Sequence, residues 1–146
     1  MTYHFTDKWT KVNLPKEWPR LVAVWGSDPT NLRGVALSAG SPETCSTTCE
    51  PGCEGAVLGW DGSEWSVVSP GAPACGTTSR PVFRSFYSSG TSAWATDGKY
   101  AFHYDGKSWT KELLPGDPGD SACSVGGDGL QVLVAGPYPI LRRKDL

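Results

Sequence analysis

Residues 104–110 read YDGKSWT, residues 60–66 read WDGSEWS, and residues 4–10 read HFTDKWT. Set in register, the three phrases superimpose Trp9, Trp65 and Trp109, which lie 56 and 44 residues apart. The longer interval holds a cysteine-rich insert, so the underlying period is roughly 44 residues. A fixed period of that length with strand-type content is the signature of propeller-like units of four strands. Asp61-Gly62 and Asp105-Gly106 are dipeptides that favour a tight hairpin with positive φ, between the third and fourth strands of a unit.

The composition agrees. The chain has 146 residues, with 18 Gly, 12 Pro, 7 Trp and 5 Tyr but one Met. Turn formers beside aromatic and β-branched residues predict short strands and tight turns. Pro or Gly interrupts most windows, so no amphipathic helix is expected. The first unit reads RLVAVWGSD, NLRGVALSAG, GAVLGW and SEWSVVSP; the second reads RPVFRSFYSS, TSAWATDG, KYAFHY and KSWTKELL. The third offers SACSVGG, LQVLVAG and PILRRKD and lacks a fourth strand. Residues 4–14 match that missing strand. The expectation is therefore a single all-β domain over 1–146, with three four-stranded propeller-type blades. Their strands fall at about 20–69, 80–115 and 120–146 plus 3–14, with the cysteine-rich insert at 41–55. The N-terminal strand completes the last blade. Three blades make an awkward ring, so a homodimer closing a six-bladed ring is expected. A piece of a larger propeller and a closed three-bladed toroid are the alternatives. The repeated Trp9, Trp65 and Trp109, with Trp25 and Trp94, are expected to pack between blades.

Charge excludes little. Thirteen Lys and Arg stand against fifteen Asp and Glu, a net of −2. No basic stripe suits nucleic acid, no apolar run suits a membrane span, and MTYHFTDKW has no signal-peptide core. Cys45, Cys49, Cys53, Cys75 and Cys123 are the cysteines. Their C-x3-C-x3-C spacing and the scarcity of histidine argue against a zinc site, so no metal is expected. Disulfides among Cys45, Cys49, Cys53 and Cys75 would pin the insert, leaving Cys123 free. That favours an oxidising compartment, hence a secreted or extracellular protein.

The units resemble a bacterial β-propeller repeat of the VWGSxPxDVWAVG…HYDGxxW type, common in secreted proteins of myxobacteria and their relatives. Val24 to Asn31 (VWGSDPTN), Ala93 to Gly98 (AWATDG) and His103 to Trp109 (HYDGKSW) carry the resemblance. It covers nearly the whole chain outside the insert and speaks to fold rather than function. The hairpin is also similar to the WDGxxW turns of small fucose-binding propeller lectins, which assemble rings from short chains and bind sugar between blades. That similarity implies a carbohydrate site using Trp60 and Tyr104 before the turns and Arg84 in a first strand. Apart from the resemblance, Trp18, between Glu17 and Pro19 in a connecting loop, is expected to be a partly exposed aromatic for the same ligand. The third strands GAVLGW and KYAFHY depart from the lectins in lacking an acidic residue.

No nucleophile motif occurs. Asp97, Glu112 and Asp128 are the carboxylates a glycosidase would need, and Arg20, Arg33, Arg80 and Arg84 the arginines for an acidic substrate, but in no shared pattern. No phosphate loop and no cofactor are implied. The expected function is a non-catalytic, lectin-like binding module with a glycan ligand. The alternatives are a structural or protein-binding propeller without small ligand, and a glycoside hydrolase.

Overall fold

A computed structural model describes residues 2–5, 8–41, 52–75, 82, 85–115, 124–127, 131–135 and 141–144. Among them there is no α-helix, and every strand pairing is antiparallel. The first sheet is a meander of β3 (Arg20–Asp28), β4 (Asn31–Leu37), β5 (Gly55–Trp60) and β6 (Trp65–Ala72). The second repeats it with β7 (Phe86–Ser89), β8 (Ser92–Thr96), β9 (Tyr100–Tyr104) and β10 (Trp109–Leu113). The third has β11 (Ser124–Gly127), β12 (Gln131–Ala135) and β13 (Leu141–Lys144).

The quoted phrases are hairpin corners. Trp60 pairs with Trp65, and Tyr104 with Trp109. Between them, Asp61 Oδ1 accepts the Ser63 and Glu64 N–H groups at 2.8 and 2.9 Å, and Asp105 Oδ1 accepts those of Lys107 and Ser108 at the same distances. Gly62 and Gly106 take φ of 102° and 97°, which a side chain resists. The loop is thus four residues long, and the carboxylate does the work that a two-residue turn would leave to the backbone.

The N-terminus differs from the expectation. Residues 4–14 are not one strand: β1 (Thr2–Phe5) and β2 (Trp9–Val12) pair with each other as a separate two-stranded sheet. Phe5 faces Trp9 across it, as Trp60 faces Trp65 and Tyr104 faces Trp109. The segment is therefore two paired strands, not a lone fourth strand. Within the chain it does not join β13. Val12, Leu14 and Trp18, which follow the corner, pack instead on the Ala36, Leu58, Trp60 and Trp65 face of the first sheet.

The layers stack in chain order. The opposite face of the first sheet, with Trp25, Val35 and Val57, meets Phe86, Ala93, Tyr104 and Trp109 of the second. The far face of the second, with Trp94 and Ala101, meets Val125, Val132 and Val134 of the third. The Val125 N–H also donates to Ser85 Oγ at 2.7 Å. Being covered on both faces, β5 reads as an unbroken apolar run, GAVLGW, and is buried throughout. Edge strands β6 and β10 expose most of their length, and β10 carries Lys111 and Glu112 as charges that discourage further pairing.

Candidate functional site

The expected sugar-site residues do not converge. Trp18, half-buried after a turn closed by its N–H to the Pro15 carbonyl at 2.9 Å, lies with Trp60 and Trp65 on the first sheet's outer face. Trp60 is buried, its ring 5.6 Å from that of Trp65. Tyr104 sits one layer away, between the first and second sheets. Arg84 lies outside the described residues. Trp25 and Trp94 are 3 % and 2 % exposed. Trp65 is buried and Trp109 half-buried at its junction, while Trp9 is placed only by its backbone in β2.

The junction of the first two sheets has a polar element within an aromatic wall. The Trp25 ring centroid lies 5.3 Å from Phe86 and 5.9 Å, edge-on, from Tyr104, and Tyr104 lies 5.2 Å from Trp109. The Trp25 indole N–H donates to the Thr91 carbonyl at 3.3 Å. Arg33 on β4 is the cross-strand partner of both Trp25 and Gly59, so its side chain leaves the same face toward the second sheet. It lies over Gly59, where an added Cβ would stand 3.3 Å from Nη1. That nitrogen donates to Asn31 Oδ1 at 2.9 Å and the Leu32 carbonyl at 3.1 Å. Across from it, Tyr104 is 0 % exposed and its hydroxyl has no hydrogen-bond partner among the described residues. Burial pushes the Tyr104 phenol up from its ordinary value, opposed by the Arg33 charge and reinforced by Asp105.

In the sequence Arg33 is one of four arginines considered for an acidic substrate, with nothing to set it apart. The signal that singles it out is its register. Counted from the preceding turn, Asn31-Leu32-Arg33 matches Ser92-Ala93-Trp94, and Arg33 occupies the place of Trp94.

At the next junction that place holds an indole. Trp94 stacks on His103 with ring centroids 4.0 Å apart and planes within 10°. His103 Nε2 and Ser92 Oγ share a hydrogen bond of 2.8 Å. This is a serine–histidine contact, but the imidazole is clamped against the indole.

The carboxylates considered for hydrolysis are not brought together among the described residues. Asp97 is buried, its Oδ1 accepting the Lys99 and Tyr100 N–H groups at 2.9 and 2.7 Å. Glu112 is exposed on β10, and Asp128 lies outside the described residues. Hydrogen bonds also hold three turn carboxyls below their usual range. For Asp28 the leading cause is the Thr30 hydroxyl, for Asp61 the Glu64 N–H and for Asp105 the Ser108 N–H. Among the described residues no group of three or more His, Cys, Asp or Glu could hold a metal ion, and no helix is long and apolar enough to cross a membrane.

The insert leaves and returns through a hydrogen-bonded neck. Buried Ser41 accepts the Glu54 N–H at 2.9 Å, and its hydroxyl also reaches Ser38 Oγ at 3.0 Å. The Arg20 guanidinium donates to the Ser38 and Ser41 carbonyls, and the Ser38 N–H to that of Glu54 at 3.0 Å. Half-buried Cys53 packs beside the neck on Leu37 and Ala74, and Cys75 follows Ala74. Cys45, Cys49 and Cys123 lie outside the described residues.

No family model, no curated protein and no solved structure matches the chain.

Proposed function

We propose that this chain is a non-catalytic, carbohydrate-binding module of β-propeller type. The observation that carries the reading is Trp18, a half-buried indole resting on the Trp60–Trp65 pair at the first-sheet end of the stack. A ring fixed from behind and open in front suits the C–H face of a sugar, and fixing it in advance lowers the ordering cost of binding. Glycan-array binding with a monosaccharide-induced shift in tryptophan fluorescence, both lost in Trp18→Ala, is the expected result. A blank array with unmoved fluorescence ends the reading.

Assembly belongs to the same proposal. The third sheet has three strands among the described residues. Leu133, like Arg33 and Trp94 on the face turned away from the preceding layer, is 41 % exposed, and no further layer covers it among the described residues. A second copy joined head to tail, its β1–β2 corner meeting the partner's third sheet, would cover that face and close a six-unit ring. Disulfides pinning the insert, as the cysteine spacing suggests, would suit an oxidising, extracellular setting.

One set of observations favours a second reading, a protein-interaction scaffold without small ligand. Trp25, Trp60, Trp65, Trp94 and Tyr104 are buried and offer no ring face to a sugar. Failure of the glycan assays together with an intact, folded Trp18→Ala variant selects it.

A further inference from the structure

The repeat supplies its own control for Arg33. Position for position, the second sheet has Trp94 stacked on His103 where the first has Arg33 lying over Gly59. The third sheet has Leu133 there. The fold thus accepts a large apolar side chain at this place, and packing alone would favour one. A guanidinium facing an aromatic wall must instead be justified by what it meets.

What it meets is incomplete. Arg33 donates to two neutral oxygens, Asn31 Oδ1 and the Leu32 carbonyl, and bonds no carboxylate among the described residues. The opposing Tyr104 hydroxyl is fully buried and unpartnered. A buried hydroxyl left so costs about 1–3 kcal/mol, whereas phenylalanine would fill the same space at no such cost. Two donors, one of them cationic, thus stand on facing layers beside the Trp25 ring, the arrangement that an oxyanion would bridge. Trp25 and Trp109 supply the apolar surface beside it. Asp105, exposed at the turn next to Tyr104, offers an acceptor for neighbouring hydroxyls and disfavours an anion with no such groups.

We infer that the junction of the first and second sheets binds the carboxylate of an acidic saccharide, through the Arg33 guanidinium and the Tyr104 hydroxyl. This rests on the carbohydrate-binding reading and assigns it a second site with its own ligand class. Arg33 is half-buried and reachable from the rim. Tyr104 is not, so the ligand must shift the half-buried Trp109 ring that packs on it. Binding is therefore visible in tryptophan emission.

The test titrates the whole chain with sodium D-glucuronate, with D-glucose as the neutral counterpart and sodium acetate as the bare carboxylate. A saturable emission change with glucuronate, absent in Arg33→Leu and weakened about tenfold or more in Tyr104→Phe, is expected; that is the size of one lost hydrogen bond to a charged group. Arg33→Leu borrows the side chain of the third sheet, and Tyr104→Phe removes a single oxygen, so at least one variant folds. No saturable response to glucuronate overturns the inference, as does a response that both variants keep. Acetate binding as tightly as glucuronate overturns the saccharide assignment. Glucose binding that depends on Trp18 and ignores Arg33 leaves the broader reading standing while this one falls.

Discussion

Aspartate closes the corners of this molecule. Asp28, Asp61, Asp97 and Asp105 each turn one carboxylate oxygen onto backbone N–H groups two or three residues ahead. Such bonds, preceded at Asp28 by the bond from the Thr30 hydroxyl, favour the charged form, so Asp28, Asp61 and Asp105 hold their protons less readily than free aspartate. A carboxyl whose folded value is depressed contributes stability above its unfolded value and loses it as pH falls through the folded one. Thermal stability is expected to be level from neutral pH down to about 5 and to fall below about 4. Asp61→Asn combined with Asp105→Asn should lower the neutral-pH melting temperature and flatten the acid limb. Circular dichroism melts across the range check this, and parallel curves for both proteins would show the turns are not responsible. These corners were legible in the sequence, because Asp-Gly before a repeated tryptophan has a local mechanism. Asp97 was legible only as a candidate acid, since what fixes its role is the Lys99 and Tyr100 N–H groups it accepts.

A sheet here is held by what lies on each of its faces. The second sheet gives Phe86, Tyr104 and Trp109 to the first and Trp94 to the third. Trp94→Ala is expected to destabilise by about 3–5 kcal/mol, the usual cost of emptying a buried aromatic site. Trp18→Ala should cost well under half of that, since Trp18 is only half-buried. Urea denaturation followed by far-ultraviolet circular dichroism separates the two, and equal losses would mean Trp18 is a core residue. Strand order within a unit followed from the period and the turns. The N-terminal phrase misled because HFTDKWT was matched on its tryptophan alone. Its Phe5 also answers to Trp60 and Tyr104, which makes the segment two strands rather than one. Arg33 stayed hidden for a related reason: its equivalence to Trp94 appears only once the register, with its irregularities in β3, is fixed.

At the scale of the whole molecule, the stack has two unlike ends, one capped by the N-terminal corner and its connection and one left open at Leu133 among the described residues. Light scattering is expected to give a mass near twice the 15.6 kDa of the chain, and Leu133→Glu should return the single-chain value. A wild-type mass of one chain would discard the ring. The exposure of the site residues could not be read from the sequence. Trp60 and Tyr104 stand on strands whose outward neighbours are separate layers, and whether a layer lies there is decided far along the chain. The neck formed by Arg20, Ser38, Ser41 and Glu54 has a different reach. It fastens the insert at its root, so strands β4 and β5 keep their pairing whatever hangs beyond. Closing a longer excursion costs little extra entropy. The molecule therefore carries a socket: an appendage of another length or composition can be seated there while the scaffold stays as it is.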